Sequence, residues 1–593
     1  MSHIKTAYFD AVSRECPLPE YPRPQFVREG WQCLNGLWDY AVTDANSSYP
    51  TEYDGQILVP FSVETALSGV EKTFLPTQRL WYRRSFTVDP SITAERKILQ
   101  FGAVDYRCKV FVNRTLVFEH TGGYNPFHAD ITDALNPGGN ELVVYVEDPT
   151  ETGPQQRGKQ VLESHGFWYT ATSGIWQTVW LEGRNSSYIR RITVLPEPKK
   201  NCVLVNSRLR LPGDGEGFSL DAEVSLDGKT VFSGTVGPRA KIPMKDFEYW
   251  SPENPVLYDL KLTLRAPDGT VADEIRSYFG MRYFSIEQDG DGISRLCLNG
   301  KKYFQKGLLD QGYFPDGGLT PPSDEAMIND IRTAKDLGFN MLRKHIKVEP
   351  DRWYYHCDRL GMLVWQDMVS GGEYIGTVTA GVLPLLKVKL KDDDYKRFSR
   401  GELSAREEFK TQLKEMIDAL HNHPSICCWV PFNEGWGQFD ALAIANWVKS
   451  YDPSRFVDHA SGWYDQGGPD FLSMHRYTLP ITMPKLDTRP FVISEYGGYS
   501  RTVDGHVWNK AKSFGYVAFG STAALSKAFR KLHERQVIPL IGKGLCATVY
   551  TQLTDVEFEV NGMMTYDRAV VKLDPETVRE VNGKLTYGDA EQS

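Results

Sequence analysis

The segments ICCWVPFNE (426–434) and FVISEYG (491–497) decide the fold, because each is a short apolar run that ends in a polar cluster with a glutamate. Similar segments recur after residue 286 and alternate with amphipathic helical patterns such as 323–337, 405–421 and 438–450. These further strand segments are YFQKGLLDQ (303–311), NMLRKHI (340–346), MLVWQDM (362–368), RFVDHAS (455–461), FLSMHRY (471–477) and LCATVYTQLTD (545–555). Eight strand and helix units in about 300 residues predict a (β/α)8 barrel.

Two β-rich regions precede the predicted barrel. Residues 1–185 contain many short β-branched and aromatic runs separated by turn residues, which predicts a jelly-roll sandwich. Residues 186–283 carry about seven short alternating strands, which are typical of an immunoglobulin-like sandwich. We therefore predict a multidomain protein whose barrel occupies 284–593. Two aromatic-rich loops of the first domain, 120–127 and 164–176, are candidates to reach the barrel.

Composition excludes several classes of partner. A net charge of −9 and 24% charged residues offer no basic face for a nucleic acid or an anionic membrane. No apolar leader or stretch long enough to cross a membrane is visible, so we expect a cytoplasmic protein. The nine cysteines form no CxxC pair, which predicts free thiols and not a disulfide frame or a zinc site.

Two glutamates are the strongest catalytic candidates. Glu434 ends the fourth predicted strand directly after Asn433, and Glu495 ends the seventh. The carboxyl ends of the strands carry the active site of this fold, so both carboxylates are expected to face the central pocket. Strands four and seven face each other across the barrel mouth, which predicts a separation of about 5 to 5.5 Å and a retaining glycosidase. Glu434 is then the acid/base and Glu495 the nucleophile.

Neighbouring side chains are expected to separate the roles of the two carboxylates. Glu434 has to carry a proton when substrate binds, and burial beside aromatic residues such as Trp436 favours the protonated form. Glu495 has to stay ionised, and Tyr477 or Arg343 at other strand ends could hold it in that state. Asn433 is the expected donor to the sugar 2-hydroxyl.

Four other strand-end residues have side chains of the metal-ligand type: Asp310, His345, Asp367 and His475. No HxH, HExxH or close carboxylate motif accompanies them, so we expect no metal ion and no cofactor. We expect the two histidines to hydrogen-bond sugar hydroxyls and the two aspartates to orient the substrate. A structural role remains the alternative for each histidine.

The chain resembles glycoside hydrolase family 2 in NHPSICCWVPFNE, FVISEYGG and TQLTDVEFEVNGMMTYDR, and in the N-terminal GLWDY, LWYRRSF, VFVN and GIWQTVWLE. The resemblance covers essentially the whole chain and implies a sugar-binding jelly roll ahead of the barrel. It implies a double displacement in which Glu434 is the acid/base and Glu495 the nucleophile. It also allows a homo-oligomer, since oligomers are common in the family.

The resemblance leaves the sugar open. In family β-glucuronidases an Asn-x-Lys motif before a TRDR-like stretch binds the sugar carboxylate, and placing TYDR (565–568) there puts Glu559 and Asn561 at the motif. A glutamate at that position would repel a uronate. His345 is followed by Ile346, where galactosidases and glucuronidases continue with Tyr-Pro. We expect a terminal β-galactoside, with a β-galactofuranoside, an arabinoside or a β-mannoside as alternatives.

Two other classes remain open. A non-catalytic carbohydrate-binding barrel would lack one of the two glutamates, whereas both are present. An endo-acting hydrolase would need an open cleft, whereas the long segments 367–402 and 499–518 are expected to wall off a pocket. The partner is therefore expected to be a glycoside or oligosaccharide bound by its end.

Overall fold

The computed structural model describes residues 4–47, 49–485 and 487–588. Short alternating runs form a two-layered sandwich at the N-terminal end, as predicted. Its strands are β1 Trp31–Cys33, β2 Gly36–Asp44, β3 Gly55–Val59, β4 Gln78–Thr87, β5 Arg96–Phe101, β6 Val104–Asp105, β7 Arg107–Val112, β8 Thr115–Thr121, β9 Phe127–Asp130, β10 Gly139–Glu147, β11 Gln160–Val161, β12 Tyr169–Thr170, β13 Gly174–Ile175 and β14 Val179–Arg184.

The two main sheets of this sandwich enclose an apolar core. The strand orders are β3-β2-β4-β10-β7-β8 and β1-β14-β5-β9. Alternate residues along the strands point inward, and in β10 they include the buried Leu142 and Val144. The sandwich is therefore a separate hydrophobic unit with its own core.

A second, smaller sandwich follows. Its strands are β15 Tyr188–Glu197, β16 Cys202–Arg210, β17 Ser219–Leu226, β18 Lys229–Val236, β19 Arg239–Pro243, β20 Tyr258–Arg265 and β21 Val271–Phe279. They form the sheets β15-β16-β19 and β18-β17-β20-β21 around a core of their own. Seven antiparallel strands in two layers agree with the predicted immunoglobulin-like fold.

A small antiparallel sheet leads into the third domain, which is a barrel of eight parallel strands in the order β29-β28-β27-β26-β25-β34-β31-β30. The small sheet consists of β22 Phe284–Gln288, β23 Ser294–Leu298 and β24 Lys301–Lys302. The barrel strands are β25 Gln305–Asp310, β26 Met341–Lys344, β27 Leu363–Asp367, β28 Ile426–Val430, β29 Phe456–Val457, β30 Leu472–Arg476, β31 Phe491–Gly497 and β34 Leu545–Thr551. Each lies within a predicted strand segment.

Helices cover the outside of the barrel. They are α1 Asp324–Asp336, α2 Asp351–Leu360, α3 Leu383–Leu385, α4 Leu403–Leu420, α5 Ala441–Tyr451, α6 Thr522–Leu532, α7 Ile538–Ile541 and α8 Pro575–Gly583. The Ser323 hydroxyl accepts a hydrogen bond from the amide of Ala326 and so caps α1. Within the described residues, loops take the place of α-helices after β29 and β30, which departs from regular strand and helix alternation.

The interior of the barrel is filled by side chains and is not a pore. Trp365 of β27 stacks on Phe471 from the opposite wall with ring centroids 5.2 Å apart. The seam between β29 and β30 is bridged by side chains, since the Ser473 hydroxyl donates to Asp458 at 3.0 Å. The segment after β31 adds the pair β32 Tyr499–Ser500 and β33 Val517–Ala518. A packed floor leaves the carboxyl ends of the strands as the place where a ligand can enter.

All nine cysteines are free thiols, and seven of them are buried. No helix in the described part of the chain combines the length and the apolar character that crossing a bilayer requires.

Candidate active site

The two predicted catalytic glutamates lie at the same end of the barrel. Glu495 is the fifth residue of β31. Glu434 follows the end of β28, where its amide donates to the carbonyl of Ser461 at 3.0 Å. Its backbone is left-handed, with φ of 53°, a conformation that a non-glycine residue adopts at a cost. The turn after β28 therefore holds the Glu434 side chain in one direction.

The two carboxylates are close enough to act on one atom. One oxygen of Glu434, one oxygen of Glu495 and one ring nitrogen of His475 all lie within 4.8 Å of one another. Inverting glycosidases hold their carboxyl groups about 6.5 to 9.5 Å apart, and retaining enzymes about 5 to 5.5 Å. The arrangement therefore matches the shorter spacing.

Two donors hold the Glu495 carboxylate. The Arg343 Nη1 donates to its Oε1 at 3.1 Å, and the Tyr477 hydroxyl donates to its Oε2. Burial raises the pKa of Glu495, but His475, His345 and Arg343 in their charged forms outweigh burial and hold that pKa at about 2, and Arg343 keeps its charge at neutral pH. Glu495 is therefore ionised at neutral pH, which is the state that a nucleophile requires.

Arg343 is itself fixed on three sides. Its guanidinium is bidentate to Asp367, at 2.9 and 3.0 Å, and donates to the Asn433 side-chain oxygen at 2.8 Å and to the Ser494 carbonyl at 3.0 Å. The oxygen of Asn433 is thus used by the protein, which leaves its amide nitrogen as the end that can donate to a sugar. Asp367 is only 1% exposed and orients Arg343.

His345 stands beside this network. Its Nδ1 lies 2.7 Å from the Asp367 Oδ2, and burial lowers the pKa of His345 well below the ordinary value. The ring is therefore neutral at neutral pH, so Nδ1–H donates to the carboxylate and Nε2 remains an acceptor.

His475 has a different environment from the one that the sequence predicts. Its Nδ1 lies 2.8 Å from Glu434 Oε1, and its Nε2 lies 3.1 Å from the Ser461 hydroxyl and 3.6 Å from Glu495 Oε1. Both ring nitrogens therefore face protein groups between the two carboxylates. His475 therefore contacts and orients Glu434, in place of the predicted hydrogen bond to a sugar hydroxyl.

The aromatic surroundings predicted for Glu434 are only partly present. Its side chain is 29% exposed, which is more than burial among aromatic rings would leave. Trp436 is 8% exposed and meets the edge of Trp168 at 5.0 Å between ring centroids. Trp436 therefore forms a wall of the pocket near Glu434 and does not cover it.

Three residues from the predicted set lie in buried networks of their own. Asp310 accepts from the Lys344 ammonium at 2.7 Å and from the Gly312 amide at 2.9 Å. Glu559 accepts from the Tyr169 hydroxyl and, at 2.9 Å, from the Asn561 amide. Glu559 and Asn561 are only 3% and 0% exposed. Their polar atoms are occupied by protein partners, so they are corrected here from sugar-binding candidates to supports of the pocket wall.

The first domain supplies a wall of the site that sequence reasoning left open. In the loop 164–176, Trp168 packs on Trp436, and the Thr170 amide donates to Glu557 at 2.8 Å. The other candidate loop, 120–127, instead meets helix α4, where Asn125 donates to Glu415 at 2.8 Å. The aromatic run in 164–176 was the signal for this contact.

Two further residues at the site were not predicted. The Tyr516 ring stacks on Tyr477 with centroids 3.8 Å apart, which packs the 499–518 segment over the Glu495 side of the site. The charge of Lys159, from the first domain, adds to burial in lowering the pKa of His345. Neither residue belongs to a strand-end cluster of the barrel, and therefore strand patterns could not identify them.

Three family models match successive parts of the chain. They are the sugar binding domain of glycosyl hydrolases family 2 over residues 31–184, the model named glycosyl hydrolases family 2 over 210–282, and the TIM barrel domain of the same family over 294–571. The three matches follow the order of the two sandwiches and the barrel.

Curated relatives and solved structures carry several names. The β-galactosidase of Thermoanaerobacter pseudethanolicus is 25% identical over 71% of this chain and 54% of that protein, so the match spans about half of the relative. The β-glucuronidase of Rattus norvegicus is 25% identical over 80% of this chain and 79% of that protein. The β-galacturonidase from Eisenbergiella tayi bound to galacturonate shares the fold at a TM-score of 0.71 and 21% identity, covering 95% and 100% of the two chains.

Proposed function

Because this chain belongs to glycoside hydrolase family 2, we propose that it is a retaining, exo-acting glycosidase that removes a terminal β-linked sugar. A β-galactoside is the first substrate to test. The observation that carries the proposal is the approach of Glu434, His475 and Glu495 within 4.8 Å at the barrel mouth. Two carboxylates at that spacing suit direct attack by one and proton transfer by the other.

In the first step, the ionised Glu495 attacks the anomeric carbon while Glu434 gives its proton to the departing glycosidic oxygen. The new carbon–oxygen bond makes a covalent glycosyl-enzyme as the old bond breaks. Tyr477 and Arg343 hold the attacking carboxylate in position without protonating it. The free amide end of Asn433 is suited to donate to the sugar 2-hydroxyl, an interaction that strengthens in the transition state.

In the second step, Glu434 acts as the base. It takes a proton from a water molecule that attacks the anomeric carbon, and the bond to Glu495 breaks. The sugar leaves with its original anomeric configuration, and Glu434 is protonated again. His475, 2.8 Å from Glu434, is placed to keep that carboxyl group aligned through both steps.

An exo mode of action is favoured by the walls around the carboxylates. Phe167 from the first domain meets Phe514 from the 499–518 segment, with ring centroids 5.6 Å apart. Trp168 and Trp436 make a second contact between the domains. Walls built from both domains suit a pocket that accepts one sugar end.

The identity of the sugar is the open part of the proposal. Relatives named β-galactosidase and β-glucuronidase match at similar identity, and so favour neither sugar. A panel of p-nitrophenyl glycosides decides between β-galactopyranoside, β-galactofuranoside, α-arabinosides, β-mannoside and β-glucuronide. Turnover of one of them identifies the glycone, and silence across the panel excludes these five glycones as substrates.

The roles of the two glutamates are tested by azide rescue. Glu495→Ala and Glu434→Ala should each lose most turnover while the fold is kept, as checked by circular dichroism. Azide should rescue Glu495→Ala with inverted configuration and Glu434→Ala with retained configuration, because only the first variant lacks the nucleophile. Glu407→Ala, an exposed glutamate on α4, is the matched control and should keep wild-type turnover. Rescue with the configurations exchanged would reverse the two roles.

A further inference from the structure

A lysine from the first domain lies at the edge of the barrel site. Lys159 precedes β11, and its carbonyl accepts from the Tyr169 amide at 2.9 Å. On its other side, the amide of Gly158 donates to the carbonyl of Ser370, a barrel residue, at 2.9 Å. The backbone around Lys159 is therefore fixed to both domains.

The backbone at Gly158 packs so closely against the barrel that a side chain at this position would be crowded. Its φ is 65°, and a Cβ atom there would lie 3.0 Å from the carbonyl oxygen of Ile346 and 3.0 Å from the Tyr124 hydroxyl. Ile346 directly follows His345 in the sequence. A glycine at 158 thus allows Lys159 to stand next to the strand-two end of the site.

The Lys159 ammonium lies over aromatic rings and has no anionic partner. It is 5.5 Å from the ring centroid of Tyr169 and 5.7 Å from that of Phe167. Within the described residues its Nζ makes no hydrogen bond and no ion pair, and the side chain is half-buried. The ring of Phe167 in turn meets Phe514 on the far wall of the pocket. The charge therefore lies beside the aromatic contact that joins the first domain to the 499–518 segment.

Other charged groups at the site have partners inside the protein. Glu495 is held by Arg343, and Glu434 contacts His475. Glu559 accepts from Tyr169 and Asn561 and is 3% exposed, so its carboxylate is engaged by protein donors and is not open to a sugar. A half-buried ammonium without an acceptor gains most from an anionic one.

We propose that Lys159 is a substrate-binding residue that selects a glycone carrying an anionic substituent, such as the carboxylate of a uronic acid. This inference rests on the proposed β-glycosidase function and adds a specificity residue from the first domain. The ammonium gives a charge-assisted hydrogen bond to the anionic group, whereas a neutral hydroxymethyl group in the same place gives a weaker one.

The test compares charged and neutral substrates of one stereochemical series. The variants are Lys159→Met, which removes the charge, Lys159→Arg, which keeps it, and Lys109→Met, an exposed lysine of the same domain, as control. Initial rates give kcat and KM on p-nitrophenyl β-galacturonide, β-galactoside 6-sulfate and β-galactoside. Wild type should favour an anionic substrate, and the carboxylate and sulfate arms distinguish the two kinds of anion.

Lys159→Met should lower kcat/KM on the preferred anionic substrate about 10- to 100-fold, mainly through KM, because it removes one hydrogen bond to a charged group. Turnover of the neutral galactoside should change less than about 3-fold. Lys159→Arg should keep the preference, and Lys109→Met should resemble wild type. Equal losses on charged and neutral substrates, or no preference in wild type, would overturn the inference.

A binding experiment separates this inference from the proposed catalysis. Tryptophan fluorescence of the intact protein, which has Trp168 and Trp436 at the pocket, is titrated with galacturonate, glucuronate and galactose. Tighter binding of a uronate by wild type, lost in Lys159→Met, supports the lysine even if no glycoside is hydrolysed. If wild type binds no uronate, or if Lys159→Met binds uronates as tightly as wild type does, the role proposed for Lys159 is contradicted, whatever the catalytic result.

Discussion

Replacing Tyr477 with phenylalanine removes one of the two donors to the Glu495 carboxylate and leaves the ring in place. The hydroxyl donates to Glu495 Oε2, and the ring stacks on Tyr516 with centroids 3.8 Å apart. Burial, followed by the charge of Glu495, raises the pKa of Tyr477 well above its ordinary value. The hydroxyl therefore stays protonated and donates throughout the working pH range.

The size of the effect follows from the pKa of Glu495. That pKa is lowered from 4.5 to about 2, which corresponds to about 3 kcal/mol in favour of the ionised form. One hydrogen bond to a charged group contributes about 1.5 to 3 kcal/mol, so its loss should raise the pKa of Glu495 by about 1 to 2 units. The nucleophile would still be ionised at pH 7. We therefore expect the loss of activity at pH 7, about 10-fold, to come from poorer positioning of the carboxylate.

The acidic limb of the pH profile reports this shift. Activity that depends on an ionised Glu495 falls as pH drops through its folded pKa of about 2, whereas the contribution of Glu495 to stability is complete above pH 4.5 and is lost as pH falls toward about 2. In Tyr477→Phe the loss should begin about 1 to 2 units higher. The measurement is kcat/KM on the active p-nitrophenyl glycoside between pH 2 and 8, with circular dichroism at each pH to show that the protein stays folded.

Tyr496→Phe is the control for removal of a buried hydroxyl. Tyr496 is the neighbour of Glu495 on β31, but its hydroxyl lies 2.6 Å from the Nε2 of His533 and not beside the carboxylates. This variant should leave the acidic limb unchanged. A folded Tyr477→Phe enzyme with the wild-type limb and wild-type kcat/KM would refute the role given to the Tyr477 hydroxyl.

Three further predictions concern metal, stability and the domain contact. Dialysis against EDTA should leave kcat/KM unchanged, because the carboxylate and histidine group at the site is proposed to act without an ion; loss of activity restored by one divalent metal would contradict this. Burial lowers the pKa of His423, but Asp358 and Asp351 outweigh it and raise that pKa to about 9. The interaction of charged His423 with the two aspartates therefore stabilises the folded protein by about 3 kcal/mol below pH 6.5, and this stabilisation is lost as pH rises toward 9. The fall in Tm between pH 6 and 9 should thus be smaller in His423→Gln than in wild type. Trp168→Ala removes the edge contact with Trp436 and should raise KM about 5- to 10-fold with little change in kcat, as checked by initial rates.

The sequence predicted for a physical reason that the two glutamates lie at one rim. Short apolar strands with polar ends place those ends at one rim of the barrel, whatever the details of packing. Glu434 and Glu495 end such strands, and the structure brings them together at that rim. The donors Arg343 and Tyr477 were found by the same reasoning, because they also end barrel strands.

The same reasoning could not separate residues that face the pocket from those that pair beside it. Asp310 is the last residue of β25, and Arg343 lies near the same end of the neighbouring strand β26. Asp310 nevertheless accepts from Lys344 and Gly312 in the protein interior. Strand position defines the rim, whereas the neighbours of a side chain define its direction. His475 illustrates the point, because its contact with Glu434 depends on how the turn after β28 folds.

The sequence by itself determined three domains, a barrel of eight strands and a pair of carboxylates, because apolar periodicity and strand-end chemistry are local properties of the chain. Only the tertiary structure decided which loop of the first domain meets the barrel at the site, where Trp168 packs on Trp436. It also decided that Glu559 is buried against Tyr169. Such contacts join residues hundreds of positions apart, and no local pattern encodes them, because they depend on how separately folded domains pack together.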